Sequence, residues 1–585
     1  MTIEAKPFNE QALQAWLDAT EDEGRFESAP EQKSARPTER AFSTSWIWVV
    51  ATVAFFFYLG VGLWMIYGAD FAIGDAIARA SSARAIAHSR DQHVMAVGFY
   101  WMPLPAFAEV PFMAVFSRLG VPALAMVAPT ALATAMTIPI LARIGRDLAV
   151  RKWIAATFVT LFALNPYTIF CAGNGMSEAW LVLALAGCFA AYLRWTDKRR
   201  IRDLGRLGLW LAVGQMTRHE MLTVVVVFCV LVAIESAKGR RVATALTVAA
   251  PSIFGLFAWT IVSFVITRHG FWKAILDGDV ADRVTGPWLP DERTVATVAT
   301  YSATLSLRFA PGIVLAVLFA GFGRELFGHI LDVDGRPHLR AVAIVAIGGL
   351  FPAQIAFLLL QRASYGDPRY YMPLILLFTI ASFIALNGRP RIGGRGAALV
   401  VCGLAGCVSS FVVIGDPGIS AVTGEPAVIR ALLGTEQSAA DSNPARSVNL
   451  GDWRAFTADL DRRLRPGDVI VLDTSVAAAV HLFSRHPMQI ATELDSDSAQ
   501  QLQLPNPGYT WAVVVPGNYG SLNPTVQALL RGTPPRGKRW EKVDVPLTPA
   551  GFRGSPELWH LVDAPTSPAL LTAAAQPTKP QETGQ

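Results

Sequence analysis

The chain has 585 residues, of which 52% are hydrophobic and only 16% are charged, with a formal net charge of +5. A soluble domain carries about 25% charged residues. Apolar runs of about 17–25 residues recur here, so the sequence predicts a polytopic α-helical membrane protein. The small, dispersed positive charge does not indicate nucleic-acid binding. The five cysteines lack CxxC or Cys/His spacing, which argues against a disulfide framework or a cysteine metal site.

The N-terminal region and the basic loops predict the topology. Residues 1–45 are polar, as in a disordered cytoplasmic tail. Residues 46–67 are apolar and too long for the core of a signal peptide, so they are predicted to form the first transmembrane helix. Arg and Lys cluster in several later loops, and the positive-inside rule places those loops in the cytoplasm. The pattern predicts about 11 transmembrane helices within residues 46–415, a cytoplasmic N-terminus and an extracytoplasmic C-terminus.

The segment after the first span, residues 74–105, is predicted to lie along the outer membrane surface. Asp75 stands at its head, four residues before Arg79. Small and apolar side chains recur on one helical face, at Ile77, Ala80, Ala83 and Ala87. The aromatic, proline-rich end of the segment, Phe99-Tyr100-Trp101-Met102-Pro103-Leu104-Pro105, is typical of a membrane interface.

Two later stretches are predicted to form hairpins, because each lies between basic loops on the same side. Residues 153–170 and 176–193 form the first hairpin, with Asn165-Pro166 and Asn174-Gly175-Met176-Ser177-Glu178 at its outer tip. Residues 208–234 form the second, broken at Thr217-Arg218-His219-Glu220. Its arms of about 10–14 residues are too short to cross a hydrocarbon core of about 30 Å. The other predicted spans lie near 120–142, 243–267, 309–327, 340–360, 371–387 and 397–414, with a polar outer loop at 268–308.

The C-terminal part has a different character. Residues 416–451 are rich in Gly, Pro, Ser and Ala and are predicted to be a linker. Helix and strand patterns then alternate, which predicts a small extracytoplasmic α/β domain over residues 452–565. Asp473-Thr474-Ser475 ends a predicted strand, but no Gly-rich phosphate loop or nucleophile elbow is present, so we interpret this domain as acceptor-binding or structural. Residues 566–585 are predicted to be a disordered tail.

Ionisable residues from separate parts of the chain fall on the predicted outer side of the membrane. Such residues near membrane depth are costly and are usually functional or paired. A mixture of carboxylates and arginines suits an anionic lipid phosphate together with a hydroxyl that must be activated. The set is Asp75, Glu178, Arg218, His219, Glu220 and Arg369.

Three stretches resemble the GT-C superfamily of integral-membrane glycosyltransferases, which includes protein O-mannosyltransferases and aminoarabinose transferases. They are Gly74-Asp75 followed by Trp101-x-Pro103-Leu104-Pro105, then Asn165-Pro166 with Asn174-Gly175-Met176-Ser177-Glu178, and last Gly366-Asp367-Pro368-Arg369-Tyr370-Tyr371-Met372-Pro373. The likeness covers residues 46–415. It implies a GT-C-like membrane fold, a polyprenyl-phosphate sugar donor, and transfer to a glycan, lipid or protein acceptor on the extracytoplasmic face.

The resemblance also implies roles for individual residues. Asp75 matches the first-loop aspartate of the family and is the expected catalytic base; as an alternative, it caps the helix that follows. Glu178 is the second expected catalytic carboxylate, orienting the acceptor or Arg218. The residues expected to bind the donor phosphate are Arg369, Tyr370 and Arg218, and those expected to support the acceptor are Trp101, Asn174 and Glu220.

Several alternatives stay open. Arg369 is also compatible with an arginine that snorkels to the interface, and Arg218 with a purely structural pair to Glu220. Family members carry two adjacent acids in the first loop, whereas Asp75 precedes Ala76, so Asp70 and Asp91 remain candidates for the base.

No cofactor is assigned from the sequence. Asp277, Asp279 and Asp282 carry oxygens that suit a divalent metal, although an acidic solvated loop is the commoner explanation. A transporter or flippase of a lipid-linked glycan, or a non-catalytic membrane scaffold, are the alternative functions. A transporter is less favoured because the polar residues collect on one side rather than in matched halves.

Overall fold

A computed structural model describes most of the chain from residue 44 to residue 564. The described ranges are 44–98, 101–267, 294–321, 339–360, 367–387, 393–416, 419, 426–435, 448–501, 504, 508–516, 522–532, 534–535, 537–546, 549 and 555–564. Both predicted tails, most of the predicted linker and the acidic loop with Asp277, Asp279 and Asp282 lie outside these residues.

In the described residues up to 415, the regular structure is helical apart from one two-residue strand. Its helices are α1 (Thr44–Tyr67), α2 (Gly74–Ala87), α3 (Leu104–Phe116), α4 (Leu124–Asp147), α5 (Lys152–Ala163), α6 (Pro166–Gly173), α7 (Glu178–Lys198), α8 (Ile201–Gln215), α9 (Met221–Glu235), α10 (Arg241–Thr267), α11 (Val295–Phe309), α12 (Ile313–Gly321), α13 (Leu339–Leu360), α14 (Pro373–Ala385) and α15 (Gly393–Gly415). Short 3₁₀ turns occur at Val94–Val97, Lys238–Arg240 and Pro368–Tyr371.

Seven helical segments in the described part of the chain are long and apolar enough to cross a membrane, and nine if each bent pair counts as one span. The bent pairs are α5 with α6, at 56°, and α11 with α12, at 76°. The protein is therefore a multi-pass membrane protein, but the predicted number of about 11 spans is not confirmed. The second hairpin explains part of the difference, since α8 and α9 have 15 residues each, or about 22 Å at 1.5 Å per residue.

Two local predictions need correction. Residues 295–309 form helix α11 and not the polar loop that their composition predicts. Helix α2 buries Ile77, Ala80 and Ala83, as its apolar face predicts, but it also buries Arg79 and Arg84. It is therefore not a helix with one solvent-facing side, because other parts of the chain cover it on several faces.

The C-terminal part contains a five-stranded sheet. Its strands are β3 (Ile470–Leu472), β4 (Ile490–Ala491), β5 (Trp511–Val514), β6 (Lys538–Val543) and β7 (Glu557–Asp563), in the order β4-β3-β5-β7-β6. β3 runs parallel to both β4 and β5, whereas β7 runs antiparallel to β5 and β6. The accompanying helices are α16 (Pro426–Leu433), α17 (Leu450–Arg463), α18 (Thr474–Phe483), α19 (Ser498–Gln501) and α20 (Asn523–Arg531), with a 3₁₀ turn at Pro487–Gln489. The predicted alternation of strands and helices matches β3, α18, β5 and α20, while the short β4 and the β6–β7 hairpin were not predicted.

The sheet region packs against the membrane helices. One cluster of buried side chains contains Met65 and Ile77 from the first part of the chain and also Trp453, Leu472 and Val480. A two-stranded antiparallel sheet adds to this contact, since β1 (Phe71–Ala72) pairs with β2 (Val448–Asn449). The segment that carries Asp75 therefore lies between the membrane helices and the C-terminal part.

Candidate functional site

Arg369 is the centre of the candidate site. It lies in the 3₁₀ turn before α14, where Asp367 caps the turn by accepting a hydrogen bond from the Arg369 amide. Its guanidinium Nη2 lies 3.0 Å from Asp75 Oδ2, and its Nε lies 2.8 Å from Asp367 Oδ2. Only 7% of the side chain is exposed. Arg369 is thus a buried, doubly paired arginine, and the snorkelling alternative is wrong.

Arg218 is a second, largely buried arginine, in the break between α8 and α9. It makes a two-pronged ion pair with Glu220, with Nη2–Oε1 at 2.6 Å and Nε–Oε2 at 3.1 Å. Its Nη1 also donates to Glu178 Oε1 and to Ser177 Oγ. The predicted pairing of Arg218 with Glu220 is therefore present, but it is part of a larger network and not an isolated structural pair.

Glu178 connects the two arginines. It is the first residue of α7, and its side chain is 1% exposed. The same oxygen, Oε1, that contacts Arg218 lies 3.6 Å from Arg369 Nε. A carboxylate between two guanidinium groups partly neutralises their mutual repulsion, so Glu178 stabilises an arrangement in which two positive charges lie close together.

Tyr370 contacts both arginines. The guanidinium carbons of Arg218 and Arg369 lie 5.0 Å and 5.3 Å from the centre of its ring, within the range of a cation–π interaction. A cleft at this point is lined by both charged and apolar side chains. Its lining consists of Glu178, Leu181, Arg218, Glu220, Phe351, Ile355, Arg369 and Tyr370.

Asp75 lies at the edge of this network. It is the second residue of α2, whose N-cap position is Ile73 and has no side-chain cap, so the capping alternative for Asp75 is wrong. Its side chain remains 40% exposed while it contacts Arg369. Burial among protein atoms raises the pKa of Asp75, but the charges of Arg369 and Arg79 lower it more, so the pKa lies below its usual value of 3.8.

The two other acids in the first loop point to different partners. Asp70 forms an ion pair with Arg454. Asp91 Oδ2 accepts a hydrogen bond from the Ser496 amide at 2.7 Å and lies 3.4 Å from His93 Nε2. Of the three candidates for the base, Asp75 is the one whose carboxylate the structure brings to Arg369.

Arg79 was not predicted as a site residue, although its spacing of four from Asp75 is a visible signal. It is 3% exposed and donates to the Gly175 carbonyl at 3.3 Å and to Met176 Sδ at 3.5 Å. Its guanidinium carbon lies 5.5 Å from the Trp101 ring, which joins Trp101 to the site indirectly. Asn174 acts through the backbone, because its Oδ1 accepts a hydrogen bond from the Met176 amide at 3.0 Å.

Two further acids were also missed. Asp367 belongs to the quoted motif, and its place beside Arg369 is the signal that was available. Glu109 is the one charged residue of the apolar helix α3 and is 1% exposed. Its Oε2 has no hydrogen-bond partner among the described residues. An isolated acid in an apolar helix indicates a functional or paired residue, and Arg79 is the cation that interacts with it electrostatically.

The remaining predicted residues lie beside this network. Burial raises the pKa of Glu220, but the adjacent Arg218 lowers it more, to about 2. The pKa of His219 is lowered, mainly by burial, which favours the neutral imidazole. Within the described ranges, no three His, Cys, Asp or Glu side chains are grouped so that they could hold a metal ion.

Comparisons with known proteins bear on the fold. No protein-family model matches the chain, and no curated protein matches its sequence. ArnT from Cupriavidus metallidurans, solved with bound undecaprenyl phosphate, is structurally similar with a TM-score of 0.51 and 13% identity, over 88% of this chain and 98% of ArnT. The Archaeoglobus fulgidus oligosaccharyltransferase aligns at a TM-score of 0.44 and 9% identity, over 81% of this chain and 69% of that one. The protein thus has a fold like that of ArnT over most of its length, in agreement with the GT-C-like fold that the sequence resemblance implies.

Proposed function

We propose that the protein transfers a sugar from a polyprenyl-phosphate donor to an acceptor hydroxyl on the extracytoplasmic face of the membrane. The observation that carries this proposal is that Arg369, which contacts Asp75, also lines a cleft whose other side chains are both charged and apolar. A phosphate attached to a long isoprenoid chain needs cations for its head and apolar side chains beside it. The structural likeness to ArnT, which was solved with undecaprenyl phosphate, supports the same fold-level expectation.

Arg369 and Arg218 are the proposed binding groups for the donor phosphate. Guanidinium groups form paired, charge-assisted hydrogen bonds with phosphate oxygens and stabilise the charge that grows on a departing phosphate. Tyr370 stabilises both guanidinium groups by cation–π contacts. Glu178 and Asp367 keep them at fixed positions before the donor binds, so that little reorganisation accompanies the reaction.

Asp75 is the proposed base. It accepts the proton of the acceptor hydroxyl while the acceptor oxygen forms a bond to the anomeric carbon of the sugar. The bond between that carbon and the phosphate oxygen breaks, and its electron pair leaves with the polyprenyl phosphate. The partial exposure of Asp75 leaves its carboxylate reachable by an acceptor.

The shared arginine couples donor binding to the base. In the free protein, Arg369 stabilises the ionised form of Asp75 and so makes it a weak base. When a donor phosphate forms hydrogen bonds with the Arg369 guanidinium, the interaction of Arg369 with Asp75 weakens. The pKa of Asp75 then rises towards that of an ordinary carboxylate or above. The acceptor is therefore activated chiefly when the donor is in place. Trp101 and Asn174 support the acceptor side through Arg79 and Met176, whereas Glu220, expected on the acceptor side, contacts the donor-binding Arg218.

The experiment is a transfer assay in membranes that contain wild type, Asp75→Asn or Asp197→Asn, supplied with a panel of labelled polyprenyl-phosphate sugars. Asp197 is the matched control, because it is 59% exposed and belongs to an ion pair near the opposite end of α7. Wild type and Asp197→Asn are expected to move label from the lipid to a product, and Asp75→Asn to be slower by at least about 100-fold. Equal transfer by all three variants would contradict the role of Asp75. Failure of wild type with every donor would favour the transporter or scaffold alternative.

A further inference from the structure

The C-terminal part of the chain contacts the segment around Asp75 at two places. We call the contacts of residues 70–72 the first grip and those of residues 81–84 the second grip. We propose, on the basis of the function proposed above, that Arg454 and Arg84 are positioning residues: together they hold α2 so that Asp75 faces Arg369. This gives the C-terminal part a role in catalysis that differs from the acceptor-binding or structural role expected from its sequence.

The first grip lies five residues before Asp75. Asp70 has a left-handed backbone with φ of 48°, a conformation that aspartate adopts more readily than most residues but that still needs support. Its carbonyl accepts a hydrogen bond from the Leu450 amide at 2.8 Å, and its carboxylate pairs with Arg454. Arg454 also lies over the Tyr67 ring, 4.9 Å from its centre. The side chain of Arg454 thus fixes the turn between α1 and α2.

A short sheet continues the first grip. β1 pairs with β2 through Phe71–Asn449 and Ala72–Val448, immediately before α2 begins. Gly451 lies so close to Asp70 that a Cβ atom there would come within 2.7 Å of Asp70 Oδ2. The chain direction at the start of α2 is therefore set by residues that lie almost 400 positions later in the sequence.

The second grip lies nine residues after Asp75. Arg84 is 5% exposed and donates to the carbonyls of His481, at 2.8 Å, of Leu482, and of Ser484, at 2.7 Å. These carbonyls belong to the C-terminal end of α18, where a positive charge is favourable. One turn earlier on α2, Ser81 Oγ lies 2.8 Å from His481 Nδ1. The C-terminal half of α2 is thereby attached to α18.

A third, more exposed contact follows at the end of the segment. Arg90 pairs with Asp495 at 2.9 Å and with Asp497 at 2.7 Å. Because the Arg90 and Asp497 side chains are partly exposed, this contact contributes less than the buried Arg84 contacts. Contacts with the C-terminal part thus occur at residues 70–72, 81–84 and 90.

These contacts bear on catalysis because Asp75 is the second residue of α2, so its position follows the start of that helix. The 3.0 Å contact with Arg369 depends on where α2 starts and in which direction it runs. A displacement of about 1 Å in a reacting group reduces turnover by up to about 100-fold. Loosening either grip should lower kcat while leaving the donor-binding arginines, and thus the KM for the donor, nearly unchanged.

Arg454 is the better residue to test, since its side chain is 26% exposed and its loss leaves no buried unpaired charge. The experiment compares full-length wild type, Arg454→Ala, Arg454→Lys and the control Arg462→Ala, whose side chain is 75% exposed on the same helix. Transfer kinetics give kcat and the donor KM, and hydrogen–deuterium exchange of peptides covering residues 74–87 reports on α2 without any need for activity. Arg84→Ala is measured in parallel as the second grip.

For Arg454→Ala we expect kcat to fall about tenfold or more, the donor KM to change less than twofold, and exchange in residues 74–87 to quicken. Arg454→Lys should recover part of both losses, and Arg462→Ala should match wild type. Unchanged exchange in residues 74–87 for both Arg454→Ala and Arg84→Ala would overturn the proposal. Faster exchange with unchanged kcat would also overturn it, because the grip would then be only structural. If wild type transfers no sugar, the proposed function fails, and the exchange data still decide whether the grip exists.

Discussion

The turn at Gly175 offers a sharp test of how α2 and the arginine network are held together. Gly175 has φ of +77°, and its carbonyl accepts the hydrogen bond from Arg79. A Cβ atom at this position would lie 2.2 Å from Met126 Cγ and 3.1 Å from Ala76 Cβ. Ala76 is the neighbour of Asp75, so a shift that relieves the contact with Ala76 moves either α2 or the turn before Glu178. We predict that Gly175→Ala loses both stability and transfer activity.

The structure gives a magnitude for this change. An alanine in the left-handed region costs about 1–2 kcal/mol, and forcing a methyl group into a packed site costs about 1–3 kcal/mol. The sum, about 2–5 kcal/mol, is a large fraction of the about 5–15 kcal/mol by which a protein is folded. Gly120 is a matched control, because it has the same φ of +77° but nothing within 4 Å of an added Cβ. Gly120→Ala should therefore show only the backbone cost.

The assay compares the two variants with wild type by thermal unfolding in detergent and by initial transfer rates in membranes. We expect Gly175→Ala to unfold at a clearly lower temperature than Gly120→Ala and to transfer sugar at least about tenfold more slowly than that control. If the two variants are equal in both measurements, the tight packing of Gly175 against Met126 and Ala76 does not matter, and the account of how Asp75 is placed is refuted.

Three further predictions concern single charged groups. Arg369→Lys should raise the donor KM and lower kcat, with a loss of about 10- to 100-fold in kcat/KM, because an ammonium group cannot reproduce the planar pair of N–H donors of a guanidinium. As a control, Arg308→Lys, in a partly exposed ion pair, should leave both constants unchanged in the same assay. The pKa of Glu220 is lowered to about 2 by Arg218 despite burial. The stability from this pair is therefore fully present above pH 4.5 and is lost as the pH falls towards 2. The melting temperatures of wild type and Glu220→Gln should approach each other over that pH range, and a constant difference between them would contradict the assignment. Burial and the charge of Arg84 lower the pKa of His481 to about 3. The unfolded state therefore binds more protons than the folded state between pH 3 and 6.5, and stability decreases as the pH is lowered through that interval. His481→Asn should make stability less dependent on pH there, and an unchanged dependence would refute this assignment.

The broad fold was predictable because membrane helices and basic loops leave strong signals in a sequence. The first span and the helix break at Thr217-Arg218-His219-Glu220 follow from length, hydropathy and charge. The helix at 295–309 was missed because its sequence, VATVATYSATLSLRF, mixes polar and apolar residues. The strands β1 and β2 have two residues each and form only by pairing across the whole chain, which leaves no local pattern to read.

The candidate site was partly predictable for a related reason. Asp75, Glu178, Arg218, Glu220, Arg369 and Tyr370 all stand at helix ends or breaks, and the structure brings them together. The pairing pattern was not predictable, since it depends on contacts such as Arg369–Asp75 across 294 positions. Arg79 and Asp367 sit beside residues that were singled out, but their burial and partners appear only when the helices are packed.

The most direct measurement of the central division of roles is the binding of undecaprenyl phosphate to purified wild type, Asp75→Asn and Arg369→Ala. Arg369 is proposed to hold the lipid phosphate, whereas Asp75 competes for the same guanidinium and serves the acceptor. We therefore expect Arg369→Ala to bind at least about tenfold more weakly, and Asp75→Asn to bind as tightly as wild type or tighter while remaining inactive in transfer. Binding by Arg369→Ala that equals wild type would contradict the account.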